Sequence, residues 1–114
     1  MHAHYTTGGF KMSLKDYRGA IEDNQRAIFI IPAYAEAYNN SGYAKLRLDD
    51  HLGAINDFNQ AIAISPISAN AYCGRGIVKI QMGDVFAGIL DLNKAGDLGM
   101  KKAYELLTEF DEFD

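Results

Sequence analysis

The stretch AEAYNNSGYAKLRLDDHLGAINDFNQAIAISPIS, residues 35–68, decides the fold. Its first half places small or apolar side chains at Ala37, Tyr38, Ser41, Ala44 and Leu48, three or four residues apart. That spacing lays side chains along one stripe of an α-helix. The second half repeats the pattern at Ala54, Ile55, Phe58, Ala61 and Ile62. Between them, Asp49 and Asp50 mark a turn and a helix start. A carboxylate there accepts from free N–H groups and meets the positive end of the helix dipole. Pro66 closes the second half, because the residue before proline is pushed out of the helical region. The stretch predicts a hairpin of two helices, 35–48 and 51–64.

Outward from this hairpin, the pattern recurs every 34 residues. The period links Gly8, Gly42 and Gly76; Ala27, Ala61 and Ala95; and Ile21, Ile55 and Ile89. It also links Lys11, Lys45 and Lys79; Asp16, Asp50 and Asp84; Asp23, Asp57 and Asp91; and Pro32 with Pro66. The units are therefore 1–34, 35–68 and 69–102, adding helices near 3–14, 16–30, 69–82 and 85–97. A glycine in mid-helix costs about 1 kcal/mol of propensity. Close crossing of the two helices of a hairpin compensates for it, with Ala20, Ala54 and Gly88 facing the crossing. Ala27, Ala61 and Ala95 are placed to pack on the next unit's first helix, and Tyr38, Tyr72 and Phe58 to fill the space around them. Lys11, Lys45 and Lys79 read as a solvated edge. Asp23 with Arg26 and Asp91 with Lys94 read as surface pairs one turn apart.

Beyond the third unit, Ala103, Leu106, Leu107 and Phe110 fall on one helical face, predicting a seventh helix over 101–110. Lys101, Lys102, Glu105 and Glu109 make its other side polar, as the exposed end of a repeat array requires. Gly99 stops the preceding helix. The acidic, aromatic tail 111–114 reads as a frayed end. The whole chain, 1–114, is expected to be one all-α domain.

Composition narrows the function classes. The chain has 114 residues, 48% hydrophobic, with two prolines, which suits one helical domain. A net charge of -4 argues against a nucleic-acid partner. Cys73 is the sole cysteine, so neither an internal disulfide nor a four-cysteine zinc site can form. His2 and His4 point to different helix faces and His51 is remote, so no metal site is expected. No apolar run approaches 18 residues and no signal peptide is visible, so a cytoplasmic protein without membrane contact is expected. Phosphate loops, paired catalytic carboxylates and serine triads are absent from the sequence. The chain is therefore expected to be no enzyme and to need no cofactor.

The repeat resembles the tetratricopeptide family, whose pattern has a large residue at position 4, glycine at 8, alanine at 20, an aromatic at 24, alanine at 27 and proline at 32. Unit two carries all of these as Tyr38, Gly42, Ala54, Phe58, Ala61 and Pro66. Unit one keeps Gly8, Tyr17, Ala20, Ala27 and Pro32 but has His4 and Asn24. Unit three keeps Tyr72, Gly76, Leu92 and Ala95 but has Gly88, and Met100 in place of proline. The resemblance spans 1–102 and implies a right-handed superhelical array, an α-solenoid, of three antiparallel helix hairpins plus the capping helix.

The resemblance also implies a non-catalytic module that binds a protein or peptide segment in the concave groove formed by the first helices. Carried over from the family's groove positions, the expected binding residues are Tyr5, Met12, Asn39, Asn40, Tyr43, Leu46, Arg47, Asn70, Ile77, Ile80 and Gln81. Amides there can bond a peptide backbone, and tyrosines serve as interface anchors. Leu46, Ile77 and Ile80 are expected to be exposed and apolar. Three helices spaced at about 9–10 Å hold an extended peptide of roughly six to nine residues. At the positions where some relatives grip a carboxyl terminus, this chain has Tyr5, Gly9, Asn40, Asn70 and Gly74. Only Asn40 matches, so that clamp is not expected. The alternative is a structural or self-association scaffold, within a larger protein whose other domains it spaces or within a weak homo-oligomer.

Overall fold

The computed structural model describes the backbone of residues 14–30 and 34–112, and the side chains of residues 16–30 and 34–108. Among the described residues six helices follow one another: α1 (Leu14–Ile30), α2 (Ala35–Arg47), α3 (His51–Ile64), α4 (Ala69–Gln81), α5 (Val85–Asp97) and α6 (Lys101–Glu112). The structure is all-α, with no strand among the described residues. The helix expected over residues 3–14 lies outside the described residues except for Leu14, which begins α1. Each helix packs on its successor, and α2 also touches α4, so the first helices of successive units stack side by side.

The turns explain why the hairpins close where they do. Asp49, Gly83 and Gly99 adopt positive φ of 62°, 97° and 113°. Each is followed by a six-residue closing bond: Asp50 N to Lys45 O at 2.8 Å, Asp84 N to Lys79 O at 2.9 Å, and Met100 N to Ala95 O at 3.1 Å. This is the Schellman ending, which satisfies carbonyls that a helix terminus leaves open. The next residue then starts a helix. Asp50 Oδ1 accepts from Gly53 N at 3.1 Å, and Asp84 Oδ1 from Ala87 N at 3.4 Å. Ser68 does the same for α4, accepting from Ala71 N at 3.3 Å.

The small residues sit at close approaches. A Cβ built on Gly76 would lie 2.8 Å from the carbonyl oxygen of Gly88, and one on Gly88 would lie 2.7 Å from that of Gly76. The α4–α5 crossing is therefore backbone against backbone. In unit two Ala54 replaces the second glycine, and Phe58 fills the gap: its ring carbons come within 2.8 Å of a Cβ on Gly42 and closer still to one on Gly74. Phe58, Ala54, Ala61, Ala71 and Val78 are fully buried together. Leu92, Ala95 and Ala103 form a second buried cluster that seats α6 on the third unit.

At Lys45 and Lys79 the recurring lysine column is not a solvated edge, and Lys11 lies outside the described residues. Lys45 pairs with Asp57 at 3.0 Å and Lys79 with Asp91 at 3.1 Å, each bridging the two helices of a hairpin. The 34-residue recurrence of both columns follows from this pairing. Asp91 is buried and is no surface partner of Lys94. It also accepts two bonds from Arg75, at 2.8 and 2.9 Å, and Arg75 reaches back to Asn59 at 2.8 Å. Removing one member of such a pair strands a charge in a half-buried setting. The Asp23–Arg26 pair does lie on the surface, at 3.3 Å.

Candidate partner-binding face

The expected groove residues divide into those that join repeats and those that face solvent. Tyr5 and Met12 lie outside the described residues. Leu46 is a correction: it is 7% exposed and belongs to the core with Phe58 and Val78. Ile77 and Ile80 are also corrected. Both are partly buried, packed against the cluster that holds Cys73, Leu92 and Ala103. The reason is geometric. Positions 5, 9 and 12 of one first helix lie under the next first helix in the stack, so an apolar side chain there is covered by the following unit or by α6.

Asn39 and Tyr43 obey the same rule. Asn39 is buried, and its Nδ2 donates to Ser68 Oγ at 3.1 Å. Tyr43 is half-buried, set edge-on against Phe58 with centroids 4.9 Å apart and planes at 76°. Its hydroxyl donates to the Asn70 carbonyl at 2.7 Å. These contacts tie α2 to α4, so both side chains build the wall of the face as much as they could touch a partner. What remains open is Asn40, half-buried, and Arg47, Asn70 and Gln81, all exposed. Gln81 meets His51 Nε2 at 3.1 Å.

Beside the Tyr43 hydroxyl lies the Cys73 thiol, which is buried. Burial pushes the Tyr43 phenol far above its ordinary range, and the adjacent Cys73 adds to the rise. Burial likewise pushes the Cys73 thiol up, opposed by the Tyr43 hydrogen bond and by Lys102. A thiol held neutral is a poor nucleophile, so this cysteine is a packing residue. Both groups keep their protons in the fold beyond the pH at which the unfolded chain loses them, about 8.5 for a thiol and 10 for a phenol. The native state then binds more protons, so stability is intact below about pH 8.5 and falls as pH rises further. Thermal midpoints measured from pH 7 to 11 should show this decline. Tyr43→Phe should flatten it above pH 10; an unchanged slope would contradict a buried, neutral phenol.

One residue near the face escaped the sequence reading. Lys102 stands 34 residues after Ser68, and Cys73 stands 34 after Asn39. Ser68 accepts from Asn39, and the Lys102 charge acts on the Cys73 thiol, opposing the rise that burial causes. Extending the period one step past the third unit would have found it. Tyr104, by contrast, turns to α5: its ring packs against Gly96 and its hydroxyl donates to Asp97.

Comparison with known proteins places the array. A family model described as "Tetratricopeptide repeat" matches residues 35–68. The chain is similar to a crystal structure of MamA protein, with a TM-score of 0.71 and 30% identity over 77% of this chain and 49% of that one. A second crystal structure of MamA gives a TM-score of 0.70 and 28% identity, over 80% of this chain and 58% of that one. This chain thus spans about half the length of the solved chains it matches. No curated protein matches it by sequence. Proteins of this repeat type generally mediate protein–protein interaction and are typically non-catalytic. No helix among the described residues is long and apolar enough to cross a membrane. The 34-residue period, the stacked helix hairpins and these likenesses show a tetratricopeptide repeat at residues 35–68 within an all-α repeat array similar to MamA.

Proposed function

We propose that the chain holds a segment of a partner protein on the face lined by α2, α4 and the start of α6, without catalysing a reaction on it. The observation that carries this reading is the set Asn40, Arg47, Asn70 and Gln81. These polar side chains stand on stacked first helices, outside both core clusters. Amides offer donors and acceptors together, which suits an extended backbone, and the guanidinium adds a planar charged fork. The rigid wall behind them, Tyr43 on Phe58 and on the Asn70 carbonyl, holds the two helices in register and lowers the ordering cost of binding.

The triple variant Arg47→Ala, Asn70→Ala, Gln81→Ala tests it. Because these residues are exposed, the thermal midpoint should move by no more than about 3 °C. Partner capture measured by pull-down should be lost. Undiminished capture would remove the face from consideration. Self-association is the competing reading, favoured by the exposed apolar Met82, Val85, Phe86 and Leu90 around the α4–α5 turn. It requires a mass that rises with concentration in light scattering.

A further inference from the structure

Two cations bracket the wall of this face. Arg47 lies one helical turn beyond Tyr43 on α2, on the same stripe. Lys102, in the first turn of α6, is exposed and precedes Ala103, which is buried in one cluster with Cys73 of α4. The Tyr43 hydroxyl donates to the Asn70 carbonyl of α4, and Cys73 of α4 shares its buried cluster with Ala103 of α6, so the order across the face is Arg47 and Tyr43, then α4, then Lys102. Both cations are exposed, and neither forms an ion pair among the described residues. The other half-buried and buried cations behave differently: Lys45, Arg75 and Lys79 are all matched to Asp57 or Asp91. Among the described groove positions, Glu36 is the acidic one, and it is engaged by the Tyr34 hydroxyl at 3.3 Å. A chain of net charge -4 thus leaves two unmatched positive charges on the face whose amides suit a peptide backbone.

We infer that the segment bound there is acidic: an extended stretch of a partner protein whose carboxylates pair with Arg47 and Lys102 while its backbone runs past Tyr43, Asn40 and Asn70. This rests on the face assigned above. Arg47 and Lys102 belong to helices two steps apart in the stack, a separation on the order of 20 Å at 8–10 Å per step. At about 3.3 Å per extended residue, the two carboxylates stand roughly six residues apart. Exposed pairs are screened over about 8–10 Å at physiological salt, so their main effect is selection and salt dependence.

A randomised nonapeptide display library panned on the purified chain tests the charge class. The selected peptides should be enriched in Asp and Glu at two positions separated by about six residues. Measured by fluorescence anisotropy, a selected peptide should lose about tenfold in affinity on Arg47→Glu with Lys102→Glu. Its affinity should also fall as salt is raised. The peptide's Asn/Gln isostere should bind equally poorly to both proteins. Selection of apolar or basic peptides, or affinity indifferent to the charge reversal, would overturn the acidic assignment. If such peptides still need Asn40 and Asn70, the face survives and only the charge class fails. If they bind the Asn40→Ala, Asn70→Ala variant unchanged, the face itself is wrong.

Discussion

Gly76→Leu is expected to cost about 3 kcal/mol or more, lowering the thermal midpoint by at least about 12 °C. The reason is backbone contact. Even a methyl at Gly76 would stand 2.8 Å from the Gly88 carbonyl oxygen and 3.0 Å from Leu92 Cγ. A carbonyl inside a helix cannot rotate away, so α4 and α5 must separate. Separation would strain the Arg75 and Lys79 bonds to Asp91 and open the cluster around Leu92. Gly19 supplies the control: nothing lies within 4 Å of a Cβ built there. Gly19→Ala should therefore raise stability by about 1 kcal/mol, the helix-propensity difference. Calorimetry on both variants reads the pair. A mild effect at Gly76 would contradict the crossing described here.

Phe58→Ala is expected to cost about 3–5 kcal/mol. The ring has no exposed surface, touches the positions of Gly42 and Gly74, and supports Tyr43 edge-on. It therefore joins α2, α3 and α4, the junction between the second and third units. In a repeat array each unit is held by its neighbours, so a cavity at a junction weakens coupling along the chain. Urea unfolding should show the loss together with a broader transition, since the units no longer melt together. A loss below about 1 kcal/mol would mean that the site collapses around the missing ring.

The fold was legible because its signals are periodic. Alanine at 61 and 95 and the carboxylates at 50 and 84 each do one job in the second and third units, and glycine at 42 and 76 admits a close neighbour in both, so repetition exposes the job. The binding face was less legible for the same reason. Repeat positions name a helical face, but they do not say what the following helix covers. Leu46, Ile77 and Ile80 point toward that side and are closed over by the next element. The lysine column misled in a different way. Lys45 and Lys79 have long apolar stems that carry a charge inward to Asp57 and Asp91. A column of charge looks solvated in sequence, and only its pairing with the aspartate column reveals otherwise. Lys102 was passed over because 101–110 was read as a cap with a polar outside, while its first turn also continues the stack.

The central claim is that partners engage the first-helix face. Amide chemical shifts of the isotope-labelled chain, titrated with the nonapeptide that panning selects, test it most directly. The account predicts shifts confined to Asn40, Tyr43, Arg47, Asn70, Gln81 and the first turn of α6. Shifts at Leu52, Phe86 and Leu90 on the second helices, with α2 and α4 unmoved, would contradict it.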